Sequence, residues 1–76
     1  MAEQAQLDVK GLKCPMPMLQ AKKALAKLQS GDELTVLATD PGVQDDFAAF
    51  CRHTGHILLS SDAHEDGSFT LVLRHK

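Results

Sequence analysis

Two prolines separated by one residue, Pro15 and Pro17, limit how this chain can fold more than any other feature. Proline lacks an amide hydrogen and its ring clashes with the preceding turn, so a helix accepts it only in the first turn. Apolar residues alternate with charged ones in residues 7–12, which predicts a strand, and residues 18–28 place apolar side chains at helical spacing. We therefore predict a strand-to-helix junction, with the helix beginning near residues 15–17 and ended by Gly31.

The next segment repeats this arrangement. Residues 34–39 are almost continuously apolar and rich in β-branched side chains, as in a central strand that is covered on one face. Asp40 is a good helix N-cap and Pro41 fits the first helical position, so a second helix is predicted to follow. Gly55 ends this helix. Its apolar stripe consists of Val43, Phe47, Phe50, Cys51 and Thr54.

The last part of the chain predicts a β-hairpin. Residues 57–60 and 69–74 have strand patterns, and the polar, turn-rich residues 62–68 separate them. The element order is therefore β-α-β-α-β-β, and right-handed crossovers would place both helices on one face of the sheet. We predict a single α/β domain over residues 1–76, an α+β two-layer sandwich with a short irregular lead-in at residues 1–6.

Size and charge weigh against several classes of protein. With 76 residues there is room for one small domain, and 43% apolar and 24% charged residues are typical of a globular protein. No apolar run approaches the roughly 20 residues that span a bilayer, and the first residues lack a secretory signal pattern. The formal net charge of −2 weighs against nucleic-acid binding. We expect a cytoplasmic monomer with no membrane or direct nucleic-acid partner.

Cys14 is the candidate nucleophile because it directly precedes the predicted helix. Helix N-termini carry unpaired amide N–H groups and the positive end of the helix dipole, which favour a thiolate. The amides that could stabilise it are those of Met16, Met18 and Leu19. We assign Pro15 and Pro17 a geometric role, because neither has an amide hydrogen to donate.

A second thiol beside Cys14 is missing. Pro17 occupies the position at which a Cys-x-x-Cys motif would carry its resolving cysteine, which argues against a dithiol oxidoreductase. The other cysteine, Cys51, lies on the apolar stripe of the second predicted helix and is predicted to be a core residue. The alternative is that it exchanges sulfur with Cys14.

The histidines do not predict a metal site. Cys51, His53 and His56 are close in sequence, but His56 follows the predicted helix stop and a closed zinc site requires four ligands. We predict no metal and, since no cofactor motif is present, no cofactor. His64 and His75 are predicted to be solvated, on a turn and at the tail.

A group of lysines surrounds the first predicted helix. Their charge is either an ordinary solvated face or a docking surface for an acidic partner beside the thiol, since complementary charge raises association rates. These candidate docking residues are Lys13, Lys22, Lys23 and Lys27.

Several motifs resemble the TusA (SirA-like) family of sulfur carriers, whose hallmark is Cys-Pro-x-Pro at the end of the first strand. That hallmark occupies residues 14–17 here. The resemblance covers essentially the whole chain in order. It includes Leu7-Asp8, Gly11-Leu12, Lys22-Lys23-Ala24-Leu25, Asp40-Pro41, Asp46, Phe50-Cys51 and Thr54-Gly55-His56.

This resemblance implies a βαβαββ fold with a mixed four-stranded sheet. It also implies that Cys14 accepts a persulfide sulfur from a cysteine desulfurase or rhodanese-like donor and passes it to an acceptor protein. The destinations that it implies are tRNA thiolation, molybdenum-cofactor synthesis and dissimilatory sulfur oxidation. Such a protein is a sulfurtransferase-type covalent carrier rather than a standalone catalyst.

Two other functions stay open at this point. Small βαβαββ sandwiches serve as RNA-binding modules, which would require basic and aromatic residues on the open sheet face. A regulatory or scaffold protein would use the same surface without sulfur chemistry.

Overall fold

The computed structural model describes residues 4–13 and 16–76 of the chain. They form four strands and two helices in the predicted order: β1 (Gln4–Asp8), α1 (Met16–Ala26), β2 (Glu33–Ala38), α2 (Val43–Thr54), β3 (Ile57–Ala63) and β4 (Phe69–Arg74). The strands build one mixed sheet in the order β1-β2-β4-β3, in which β1 and β2 are parallel and the other pairs antiparallel. The predicted fold class is confirmed.

The core lies between the two helices and one face of the sheet. In β2 the buried residues Leu34, Val36 and Ala38 alternate with half-buried ones, as expected for a central strand covered on one side. Leu34 and Val36 pair with Leu73 and Leu71 of β4. The helices complete this layer, because α1 packs on α2, β1 and β2 while α2 packs on β3 and β4.

The first strand begins and ends earlier than predicted. β1 spans Gln4–Asp8, so residues 4–6 belong to the sheet rather than to an irregular lead-in, and the predicted strand over residues 7–12 is wrong beyond Asp8. The Asp8 side chain accepts the Lys10 amide N–H at 3.0 Å, and the Val9 carbonyl accepts the Leu12 amide at 3.1 Å. These bonds bend the chain into a turn in place of a longer strand.

The starts and ends of both helices were predicted to within a few residues. Two details of the prediction were wrong. α1 begins at Met16 but ends at Ala26, because Lys27 and Leu28 make tighter i→i−3 hydrogen bonds. Gly31 therefore lies in the turn before β2 and does not cap α1. The N-cap of α2 is Gly42 rather than Asp40, whose carboxylate instead accepts the Gly42 amide N–H at 3.2 Å.

The end of α2 follows the prediction. Gly55 has a left-handed backbone, with φ of 87°, and its amide donates to the Cys51 carbonyl at 2.9 Å. The hairpin is also confirmed, since β3 and β4 pair antiparallel. β3 extends to Ala63, which is three residues beyond its predicted end at residue 60.

We expect Gly55→Ala to lower the free energy of unfolding by about 1–2 kcal/mol, because a left-handed backbone is strained for an L-residue with a Cβ. The added Cβ would also lie 3.4 Å from Cδ of Lys76. Gly55→Asn is the matched control, since asparagine tolerates this conformation better, and its loss should be smaller. Urea unfolding of both variants measures the difference. An alanine variant as stable as the asparagine variant would contradict a role for the left-handed backbone.

Candidate functional site

The residues on either side of Cys14 and Pro15 are held by hydrogen bonds to each other and to the end of β2. The Lys13 carbonyl accepts the Met16 amide N–H at 2.9 Å, and the Gly11 amide donates to Oγ1 of Thr39 at 2.9 Å. The predicted nucleophile, Cys14, and the first of the two motif prolines, Pro15, lie outside the described residues. The chain therefore enters and leaves this pair from anchored positions.

The beginning of α1 retains part of the predicted electrostatics. The Met16 amide N–H donates to the Lys13 carbonyl. Of the three amides that were predicted to stabilise a thiolate, those of Met18 and Leu19 therefore remain. The first turn of α1 contains no acidic residue that would offset the positive end of its dipole. Pro17 is buried in this turn, in agreement with a geometric role.

Two carboxylates from the start of α2 lie near the beginning of α1. Asp40 and Asp46 line a narrow crevice together with Pro17 and Met18. The Asp40 carboxylate is bonded to the Gly42 amide, and Asp46 lies in the first turn of α2, where its charge complements the helix dipole. Negative charge on this side limits how far the surroundings can favour a thiolate.

Sequence reasoning missed an apolar rim next to Cys14. Leu12, Met16 and Leu19, which we call the apolar rim, are 37, 41 and 42% exposed. Single exposed leucines are ordinary, but these three flank one candidate nucleophile in sequence. The signal was present, because Met16 and Leu19 stand outside the stripe that α1 buries. Exposed apolar side chains beside a reactive group are typical of a docking surface for a protein.

A groove of about 380 Å³ between the helices continues from the start of α1. Lys22 and Met18 line it from α1, and Phe50, Asp46 and His53 are among the residues that line it from α2. The Lys22 ammonium lies 5.9 Å from the centroid of the Phe50 ring. Lys22 thus borders a concave surface, a feature that its charge alone did not predict.

The other candidate docking lysines are solvent-exposed. Lys13 lies in the loop before Cys14, Lys23 lies in the last turn of α1, and Lys27 directly follows that helix. Their exposure agrees with either alternative for this group, a solvated face or a docking surface.

Cys51 is a core residue, as predicted. Its thiol is free and its side chain is buried beside Phe47 and Phe50 in the hydrophobic core. Burial raises the pKa of the Cys51 thiol, which disfavours the thiolate that sulfur exchange requires.

His56 belongs to an aromatic stack at the end of α2. Its ring centroid lies 5.7 Å from that of Phe50 and 4.7 Å from that of His75, and its Nδ1 accepts the Lys76 amide N–H at 3.2 Å. Burial, followed by the charges of His75 and Lys76, lowers the pKa of His56. His75 is half-buried against His56 rather than fully solvated as predicted, and its amide donates to the Asp32 carbonyl at 2.8 Å.

The remaining histidines are surface residues. His53 is exposed on α2, and His64 is exposed in the hairpin turn, where its Nε2 lies 2.7 Å from Oγ1 of Thr70. Within residues 4–13 and 16–76, no group of three or more His, Cys, Asp or Glu side chains could hold a metal ion. Cys51 is buried and His53 is exposed, although the two residues are close in sequence.

The phenylalanines of the chain do not lie on the open face of the sheet. All three phenylalanines of the chain lie among the described residues and on the core side: Phe47 and Phe50 are buried, and Phe69 packs against the core. The open face therefore offers no phenylalanine on which a base could stack. In the same described segments, no helix is long and apolar enough to cross a membrane.

Comparison with solved structures identifies the class of protein first. The SirA-like protein of Desulfitobacterium hafniense superimposes with a TM-score of 0.82 at 25% sequence identity, over 92% of this chain and 95% of that structure. The two-layer sandwich with strand order β1-β2-β4-β3 is therefore a SirA-like fold.

Sequence comparison then gives the family. The family model described as "Sulfurtransferase TusA" matches residues 5–75. A protein of Neisseria meningitidis serogroup A named "Putative sulfur carrier protein" is 66% identical over 92% of this chain and 93% of its own length. The sulfur carrier protein TusA of Allochromatium vinosum is 46% identical over 91% of this chain and 90% of its own length. The chain belongs to the TusA family of sulfur carriers.

We expect the stability of the protein to fall as the pH drops below about 6.5. The pKa of His56 is lower in the folded chain than the ordinary value of 6.5, so the unfolded chain binds more protons in this range. The stabilisation is complete above the ordinary pKa and is lost as the pH falls through the lower, folded pKa. Urea midpoints between pH 7.5 and 5 measure this loss, in buffers without phosphate or sulfate.

Two substitutions separate His56 from the other titrating groups. His56→Asn cannot take up the proton and should flatten the pH dependence, and His53→Asn, at an exposed position of α2, is the matched control. An unchanged slope in the His56 variant would show that another group causes the pH dependence.

Proposed function

We propose that this protein carries a persulfide sulfur on Cys14, which it accepts from a donor protein and passes to an acceptor protein. The observation that carries this proposal is the position of α1, which begins at Met16 with no acidic residue in its first turn. A helix start of this kind favours a thiolate close to it, and Cys14 precedes Met16 by two positions in the sequence. Membership of the TusA family supports the same assignment.

The transfer is a thiol–disulfide type of exchange. The Cys14 thiolate attacks the terminal sulfur of the donor persulfide, a new S–S bond forms, and the donor cysteine leaves as a thiolate. The acceptor thiolate then attacks the terminal sulfur on Cys14 and releases the Cys14 thiolate. Each step exchanges one S–S bond for another, so no external oxidant or reductant is consumed. The protein itself acts as a covalent carrier rather than a catalyst.

The absence of a resolving thiol suits this chemistry. Pro17, at the position of a second motif cysteine, is buried in the first turn of α1, and Cys51 is buried in the core. A persulfide on Cys14 would therefore survive until an acceptor arrives, because neither position supplies an attacking thiolate.

The partners follow from the same proposal. We assign the donor to the cysteine desulfurase or rhodanese-like class, and the acceptor to tRNA thiolation, molybdenum-cofactor synthesis or dissimilatory sulfur oxidation in the cytoplasm. The apolar rim and the exposed lysines Lys13, Lys22, Lys23 and Lys27 form the docking face. This face combines apolar area for affinity with positive charge for attraction of an acidic partner.

Cys14→Ser should abolish sulfur loading. Incubation of the protein with a cysteine desulfurase and cysteine should add the mass of one sulfur atom, measured by intact-protein mass spectrometry. Cys51→Ser should load like the wild type, because its burial keeps that thiol out of the exchange. Loading that persists in the Cys14 variant and disappears in the Cys51 variant would overturn the assignment. Partner capture that survives Cys14→Ala without any loading would instead favour a scaffold.

Neutralising Lys22 and Lys23 to Gln should slow loading severalfold at low salt, because complementary charge accelerates association. The difference from the wild type should shrink as salt is added, since screening reaches about 10 Å at 0.1 M ionic strength. A matched control, Gln4→Glu with Gln6→Glu, makes the same change in net charge at exposed positions of β1. Equal slowing in both variants would indicate an effect of net charge alone and contradict a docking face.

A further inference from the structure

The far end of the interhelical region contains a second, basic groove that shares only Lys22 with the proposed docking face. It measures about 320 Å³, and its floor is formed by Leu25, Ala26 and Phe50. Apolar surface makes up most of its lining, and no Asp or Glu side chain is among the lining residues. The basic residues that line it are Lys22, His56, His75 and Lys76. We call these four residues the basic cluster.

The members of the basic cluster are connected by contacts between side chains and by one hydrogen bond from a backbone amide. Lys22 and His56 both pack on Phe50, His75 packs edge-on against His56, and Lys76 bonds to His56 through its amide. They come from α1, the end of α2 and the segment after β4. Two lysines and two histidines from three parts of the fold are therefore gathered in a protein whose formal net charge is −2 with neutral histidines.

The hydrogen bonds in the basic cluster determine which atoms face a ligand. Nδ1 of His56 accepts the Lys76 amide, so the neutral ring carries its proton on Nε2 and can donate there. Nδ1 of His75 lies 2.9 Å from the main-chain oxygen of Lys76, which can only accept, so His75 donates from Nδ1. Nε2 of His75 becomes a second donor only when that ring is protonated.

The two lysines keep donors available as well. The Lys76 ammonium gives one hydrogen to the Thr54 carbonyl at 2.7 Å, which leaves two others. The Lys22 ammonium lies over the Phe50 ring, at the boundary between the two grooves. The backbone carbonyl of Asp32 accepts the His75 amide, and the Asp32 carboxylate accepts the Gln29 amide at 2.8 Å.

We propose that the basic cluster binds a tetrahedral oxyanion of the sulfate or phosphate type. The donors that line the groove belong to three chain segments, so a group with four oxygens can accept hydrogen bonds from more of them than a planar carboxylate. Binding is coupled to protons at His56, whose pKa is lowered by burial and by the charges of His75 and Lys76. By linkage the bound anion raises the pKa of His56, since it offsets the positive charges that lower it.

Sulfate is the probe of choice because its charge is constant between pH 6 and 8. Sodium sulfate is titrated into the full chain at pH 6, with sodium chloride holding the ionic strength constant, and the histidine ring signals are followed by NMR. Saturable shifts are expected at His56 and His75, with His53 and His64 as controls that do not saturate. Affinity should fall between pH 6 and 8. Shifts that are linear and equal at all four histidines would overturn the site.

Variants test the same point independently. Lys22→Gln and Lys76→Gln should each weaken sulfate binding about threefold, as expected for one partly exposed charge pair. Lys23→Gln and Lys27→Gln remove the same charge outside the groove and should leave binding unchanged. Lys22→Gln keeps the Lys76–Thr54 contact, so a loss in this variant does not come from an unravelled tail. Equal losses in all four variants would contradict the proposal.

Two further measurements distinguish an oxyanion site from general anion binding and from the sulfur-transfer site. Acetate at the same ionic strength should shift the ring signals less than sulfate, and an equal response would replace the oxyanion by a general anion. Cys14→Ser should bind sulfate like the wild type, because the groove does not include Cys14. Failure of sulfur loading therefore leaves this inference intact, and failure of sulfate binding leaves the proposed function intact.

Discussion

Parallel pairing of β1 with β2 is the constraint on which the rest of the structure depends. Two neighbouring parallel strands cannot be joined by a tight turn, so the chain must cross over the sheet, and α1 is that crossover. The carboxyl ends of both strands then lie at the same edge, and a helix follows each of them. The bond from the Gly11 amide to Thr39 joins the two strand ends directly. This edge presents the residues before and after Cys14.

The charges near that edge act in opposite directions. The start of α1 favours negative charge, and the exposed lysines around it add to the positive field. Asp40 and Asp46 bring negative charge from α2 into the adjoining crevice. A thiolate in such surroundings is favoured without being strongly stabilised, which suits a carrier that must both take up sulfur and give it away. An excessively stable thiolate would be a poorer nucleophile.

The interhelical region divides its chemistry between two ends that share Lys22 and Phe50. Met18 and His53 line the groove at the end near the first turn of α1. Met16 and Leu19 of the apolar rim belong to that same turn. The other end gathers the basic cluster around His56. The Phe50 ring contacts both Lys22 and His56. A charge bound in one groove therefore lies close to side chains that line the other groove.

Local patterns were enough to predict every helix and strand, since proline, glycine and side-chain periodicity act within a few residues. Two of their errors arose where a side chain accepted a hydrogen bond from the backbone amide two residues further on. Asp8 ended β1 early, and Asp40 closed a turn ahead of α2 rather than capping it. Such bonds compete with the helix or strand that the pattern predicts, and their geometry depends on where the neighbouring strand lies.

By itself the sequence determined the order of elements, the core role of Cys51 and the resemblance that points to Cys14. These depend on residue type and spacing alone. Only the tertiary structure decided that His75 packs on His56, that Lys22 lies over Phe50 and that the apolar rim is exposed. Each of these contacts joins residues far apart in the chain or compares two faces of one helix. Their formation depends on how the helices pack on the sheet, which no local pattern contains.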